Sequence, residues 1–281
     1  MKAELTYIVT EPYIKLTVRQ FFESFYISKK TMYKLMNGHV LLNDQAVKES
    51  EILSENDQLK IDFSEVIPQF PKVISYEPIT ILYEDEHILI VHKEESLLVY
   101  DDGNLNDSLT SRVQAHYQKM EYPFPVLPAH RIDEETSGMI IFAKHPLALS
   151  YLSHLFESKN IKKVYESIVH GLMPKQKGTI NRPIGKDRHD HKMRVNVTGD
   201  EAITHYEVIS VIEHKTRLKV TIETGRKHQI RVHLAHLGFP IDGDKTYHGK
   251  PYSRLLLHFK EVEFIHPFTR KPLRVSDPVP F

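Results

Sequence analysis

The sequence predicts an α+β fold in two parts, a small N-terminal α/β module and a larger domain built on a mixed, largely antiparallel sheet with flanking helices. Three observations carry this. Residues 16–63 show two stretches of helical spacing followed by strand-like runs around a tight turn. Residues 66–78 contain Pro68, Pro71 and Pro78 and read as a semi-rigid linker. From residue 79 onward, strand-like runs mix with a few helices and form several candidate hairpins, which favours α+β over a strictly alternating βαβ order. The expected domains are therefore 1–65 and 79–281.

In the first module, Phe21, Phe22 and Phe25 lie at helical spacing. Met32, Leu35 and Met36 do so again, after Ser28 as N-cap and before Asn37-Gly38 as stop. Residues 39–42 and 58–63 read as strands, with Asn43-Asp44 as a hairpin turn. In the second part, strands are expected at 79–83 and 87–92 around Asp85-Glu86. Further strands are expected at 139–144, 163–170 and 217–223, and helices at 108–119, at 146–159 with Pro146 in its first turn, and at 228–237 closed by Gly238.

The 281 residues are 41% hydrophobic and 26% charged, as a packed domain requires. No cysteine is present, so disulfides and thiolate metal sites are excluded, and a reducing cytosol is the expected setting. No apolar run approaches the ~20 residues of a membrane span. The formal net charge is zero, which leaves RNA binding to local basic surface. The first 65 residues carry eight Lys and Arg against ten Asp and Glu, yet Lys29, Lys30 and Lys34 gather at the start of one helix. That face reads either as a phosphate contact or as an ordinary solvated surface.

Three clusters could do chemistry. The first is HRIDEETSG at 130–138, a turn feeding an apolar strand. Asp133 there is either a nucleophile or base, or a carboxylate that hydrogen-bonds its own turn through Thr136 or Ser137. The second is TGRKHQIRVHLAHLG at 224–238. On a helix, Ile230, Leu234 and Leu237 form the buried stripe, and Arg231 sits about 100° round from Ile230, at the stripe's edge. It can reach a cleft from there and pair with a buried carboxylate, or lie on the solvated face. His228, His233 and His236 do not keep the i, i+4 spacing of helical zinc ligands, so no metal site is expected. The third is KVYESIVHG at 163–171, where the Tyr165 ring can stack on a base or pack in a core.

Taken together, these motifs resemble the RluA family of pseudouridine synthases, over nearly all of 79–280. KMRVNVTGDEAITHYEV at 192–208 and LHFKEVEFIHPFTRKPL at 257–273 add to the likeness, and the N-terminal module resembles an S4 RNA-binding domain. The resemblance implies an isomerase of uridine in structured RNA that needs no cofactor and acts as a monomer in the cytoplasm. It implies Asp133 as catalytic carboxylate and Tyr165 packed on the flipped base. It further implies Arg231 ion-paired to Asp133 and holding it ionised, and Arg131, with His130, on the RNA side, Arg131 entering the stack as the nucleotide leaves. Lys29, Lys30 and Lys34 would contact RNA from the N-terminal module. Ribosomal RNA of the large subunit is the expected substrate, ahead of tRNA.

Two departures stand out. The family's Asn-Lys-Pro-x-Gly turn is His92-Lys93-Glu94-Glu95-Ser96 here, and Ile132 and Ser167 replace the usual Leu and Ala. Two other classes are compatible with single motifs: an RNA-binding or ribosome-assembly protein without catalysis, and a two-carboxylate hydrolase using Asp133 with Glu134 or Glu135.

Overall fold

The computed structural model describes residues 2–187, 190 and 192–281. The N-terminal module contains β1 (Glu4–Ile8), α1 (Val18–Glu23), α2 (Lys29–Met36), β2 (Val40–Leu42), β3 (Gln45–Ala46) and β4 (Gln58–Asp62). Thr17 and Gln20 cap α1 reciprocally, and the Ser28 side chain caps α2. Asn43 and Asp44, both at positive φ, close the β2–β3 hairpin as expected. The sheet order is β1-β4-β2-β3, and β1, unforeseen from sequence, pairs antiparallel with β4.

The larger part runs β5 (Thr80–Glu84), β6 (Ile88–Lys93), α3 (Leu109–Gln118), β7 (Leu127–Pro128), β8 (Ser137–Ala143), α4 (Pro146–Glu157) and β9 (Lys162–His170). It continues with β10 (Lys177–Asn181), β11 (Ile184–Lys186), β12 (Met193–Val195), β13 (Ile203–Ile212), β14 (Lys215–Ile222), α5 (Gln229–His236), β15 (Leu257–Ile265) and β16 (Pro272–Ser276). Its main sheet has the order β10-β13-β14-β9-β15-β8-β6-β5, with β16 beside β15 and β7 beside β8. Among its described pairings only β15 with β8 is parallel. The fold is α+β on a mixed, largely antiparallel sheet, as predicted.

The β8–β15 junction depends on Gly138. At φ +125°, a Cβ there would lie 2.5 Å from the Phe259 backbone, so only glycine lets the strands meet. The junction sets β9 and β15 beside the 130–136 loop, and those segments build the cleft.

Residues 67–79 carry neither helix nor strand, but they are pinned, since Ile74 and Ser75 N–H groups donate to the Ser111 hydroxyl. The two parts share one apolar core rather than touching lightly. Phe25 packs on Phe268 at 4.6 Å, and the Tyr13 hydroxyl donates to the Pro267 carbonyl. Arg270 lies over the Tyr151 ring at 4.4 Å and donates to Tyr13 and Ser24.

Candidate active site

Asp133 opens onto a cleft of about 450 Å³ lined by Arg131, Tyr165, Gly225, His228, Arg231 and Leu257, among others. The loop that carries it is fixed from below. Lys93, fully buried, donates to the carbonyls of Glu94 (2.9 Å), Leu97 (2.7 Å) and Glu134 (2.7 Å). Three ammonium hydrogens thus meet three carbonyl oxygens. Burial lowers the Lys93 pKa to about 7, with Glu134, Asp133 and Glu95 opposing the drop. The Ser96 N–H also donates to the Glu134 carbonyl, so the turn that departs from the family pattern clasps the Asp133 loop.

Arg231 is 1% exposed, which settles its position as interior. Its main partner is not Asp133. Nε and Nη2 donate to the two Asp244 oxygens at 2.8 and 2.9 Å, Nη2 also donates to Thr246, and Nη1 to Glu135. Asp133 lies 3.8 Å from Nη1, inside Coulomb range but beyond a hydrogen bond. The expected Arg231–Asp133 ion pair is present at 3.8 Å, but it is the loosest of three, and the hydrogen-bonded fork goes to Asp244. Burial opposes the Arg231 charge, but Asp244, Glu135 and Asp133 outweigh it and raise its pKa. Glu135 is spent on Arg231 and Glu134 is exposed, so neither supplies the second carboxylate of a hydrolase.

Asp244 was not singled out by sequence reasoning. Its Oδ1 also accepts from the Thr246 and Tyr247 N–H groups, and its side chain is wholly buried. Gly243 makes this turn possible, because a Cβ at its φ of +83° would lie 1.8 Å from the Arg254 carbonyl oxygen.

His228 was weighed only as a metal ligand. It caps α5 in the left-handed region at φ 56°, a strained backbone of the kind found at functional sites. Its Nδ1 is 2.9 Å from the Tyr247 hydroxyl, which accepts from the Met193 N–H. With that hydroxyl donating to Nδ1, the proton of a neutral His228 sits on Nε2, 3.9 Å from Asp133. Burial, first, lowers the His228 pKa and favours that neutral form. Gln229 braces the loop before it, accepting from Thr224 and Arg226 and donating to Ile203 and Thr204. His233 uses both ring nitrogens on Thr204 and the Arg182 carbonyl, so it is turned away from His228.

Tyr165 stacks on Phe259 at 4.6 Å, so β15 backs one face while its ring lines the cleft. Burial and then the Asp133 charge raise its pKa, keeping the phenol protonated at neutral pH. Arg131 is exposed at the cleft mouth. His130 braces the loop, its ring stacked on Phe156 at 4.5 Å and its Nε2 accepting the Ile141 N–H. Burial, with Lys163 next, lowers its pKa to about 3, so it brings no positive charge to RNA. Lys29 and Lys30 are exposed in the first turn of α2, before Tyr33, which is 76% exposed, while Lys34 reaches the Glu65 carbonyl at 3.5 Å.

The RNA pseudouridylate synthase family matches residues 87–236, and the RluD ribosomal pseudouridine synthase N-terminal domain matches residues 5–59. The uncharacterized RNA pseudouridine synthase YhcT of Bacillus subtilis is 37% identical over 88% of this chain and 83% of its own. Ribosomal large subunit pseudouridine synthase D of Haemophilus influenzae is 33% identical over 72% of this chain and 68% of its own. In fold, the chain resembles human RNA Pseudouridylate Synthase Domain Containing 1, with a TM-score of 0.62 and 23% identity over 74% of this chain and 86% of that one. The chain belongs to the RNA pseudouridylate synthase family, whose reaction is the isomerisation of uridine in RNA.

Proposed function

We propose that this chain isomerises a uridine of large-subunit ribosomal RNA, acting as a single polypeptide in the cytosol with Asp133 as the catalytic carboxylate. The observation that carries the reading is the state of Asp133. It sits in the cleft beside Tyr165, near a fixed cation yet without a hydrogen bond to it, so its oxygens are free for a substrate. In the reaction the N1–C1′ bond breaks, the uracil turns, and C5 bonds to C1′ while a proton leaves C5 and N1 gains one. Nothing is oxidised or reduced. The ring of Tyr165 holds the extruded base and Arg131 occupies the space it vacates. Lys29, Lys30 and the exposed Tyr33 of α2 offer cation and ring to the RNA from the N-terminal module. The ribosomal substrate rests on the Haemophilus influenzae relative named above as a large-subunit synthase.

The test is incubation of purified protein with separate transcripts of large-subunit rRNA and a tRNA pool, followed by nucleoside analysis and site mapping. Pseudouridine at a defined rRNA position is expected. Conversion confined to tRNA would overturn the substrate, and no conversion in either, with RNA bound, would leave an RNA-binding protein that has lost catalysis.

A further inference from the structure

A second cleft, of about 960 Å³, adjoins the catalytic one and shares Arg131, Tyr165 and Arg226 with it. Four cations line it, Arg131, Lys159, Lys163 and Arg226, against two exposed carboxylates, Glu157 and Glu223. Three of these six charges have partners. Lys159 is 3.5 Å from Glu201, Arg226 donates to the Glu201 carbonyl, and Glu223 meets His205 at 2.7 Å.

Lys163 differs. The residue is 7% exposed, and its ammonium lies 5.9 Å from the centre of the Phe156 ring, with no hydrogen bond or ion pair to any described residue. The stem is buried while the ammonium opens onto the cleft, so its hydrogen-bonding capacity is directed at whatever occupies that space. Burial, and then Lys159, lower its pKa, which an anion in the cleft would oppose. Lys163 also stands two residues before Tyr165 on β9, where both pair with β15 on either side of a bulge in β15, and both line this cleft. Their side chains share a face, spaced roughly 7 Å along the strand. A base against Tyr165 would therefore place its neighbouring backbone linkage beside Lys163.

We infer that Lys163 is the centre of a phosphodiester subsite, gripping the backbone phosphate next to the target nucleotide as the RNA strand leaves the catalytic cleft. The identity of that strand rests on the function proposed above. Lys163 is thus a positioning residue, which acts on the register of the strand and leaves the chemistry to Asp133.

The experiment pairs Lys163→Met and Lys163→Arg with RNA hairpins carrying one neutral methylphosphonate linkage at each position around the target uridine. The probe is the rRNA hairpin with the mapped uridine, or the fragment bound most tightly if none converts. Wild-type binding should fall about tenfold at one linkage next to the target. Lys163→Met should bind unmodified RNA about tenfold more weakly, lose roughly one phosphate from its salt dependence, and ignore that linkage. The loss should fall on the half-saturating RNA concentration more than on the saturated rate, and Lys163→Arg should restore the sensitivity. Wild-type affinity and salt slope in Lys163→Met, or an undiminished penalty at every linkage, would overturn the subsite. If Lys163→Met does not fold, the wild-type and Lys163→Arg scans decide, and the absence of any sensitive linkage beside the target refutes it. Because binding is read apart from turnover, an inactive protein would sink the proposed function without touching this result.

Discussion

The turn at 242–247 and the loop at 130–136 both present a carboxylate to the same guanidinium, and they treat it in opposite ways. Asp244 is fully buried, takes two hydrogen bonds from Arg231 and two more from backbone N–H groups, and has nothing left to offer a ligand. Asp133 keeps 22% of its side-chain surface, stands 3.8 Å from Nη1, and faces the cleft. One carboxylate neutralises the cation in the fold, and that lets the other feel the cation's field without being consumed by it. A direct Arg231–Asp133 fork would have occupied the oxygens that the proposed function leaves open to a ribose.

Exchanging amide for acid at each position separates the two roles. Asp133→Asn should abolish pseudouridine formation, a loss of about 10³-fold or more, while stability stays within about 1 kcal/mol of wild type. Single-turnover assays and chemical melts check both halves, and appreciable residual turnover would remove Asp133 from the chemistry. Asp244→Asn should behave the other way round. It strips the main counterion from a buried guanidinium and should cost about 3–5 kcal/mol of stability, read as a lower denaturant midpoint at unchanged slope. An unaltered midpoint would mean that Glu135 and Asp133 suffice to hold Arg231.

The contrast also marks what the sequence could and could not reveal. Asp133 was legible because it stands inside a long motif before an apolar strand. Asp244 was not singled out, because only the tertiary fold places it under Arg231. Lys93 hid in the same way: a lysine after an apolar strand reads as solvated, and its three carbonyl partners come from loops that meet only in space. The helices and the strands β6, β8 and β9 were visible through their apolar periodicity. Strand β15 was not, although it is central, because its sequence LHFKEVEFI mixes charge into the pattern. Those charges are answered across strands, Lys260 by Glu166 and Glu261 by Arg274, a pairing with no local signature. The shared core of the two parts was missed for the same reason, since Phe25 and Phe268 are distant in sequence.

Lys93→Met probes the support on the loop side. It removes a donor from three carbonyls, of which only that of Glu134 keeps another, from the Ser96 N–H, and should cost about 2 kcal/mol or more, with slower turnover as the Asp133 loop loosens. The pH dependence has a definite sign. With a folded pKa of about 7 against an ordinary 10.5, the native state binds fewer protons than the unfolded chain between those values. Wild-type stability relative to the mutant should therefore climb as pH rises from about 7 toward 10.5, and hold level below 7. Melts of both proteins across that range test it, and a difference independent of pH would show that Lys93 is not titrated in the fold.

The smallest expected effect, and the most discriminating for the loop, concerns Arg131. It precedes Asp133 by two residues on an extended stretch, and both side chains border the cleft, but Arg131 is exposed where Asp133 is partly enclosed. On the function proposed above, one would meet the RNA stack while the other meets the extruded sugar. Extrusion costs a few kcal/mol from a paired stack and least from a mismatch. A guanidinium inserted in the gap offsets part of that through stacking and phosphate contacts. Arg131→Ala should thus lose on the order of tenfold on a uridine held in a helix and recover most of it on the same RNA with that uridine mismatched. Single-turnover rates for both proteins on both RNAs give the answer. Equal losses on the two substrates would move Arg131 from flipping to the chemical step, and the division of labour along 131–133 would have to be redrawn.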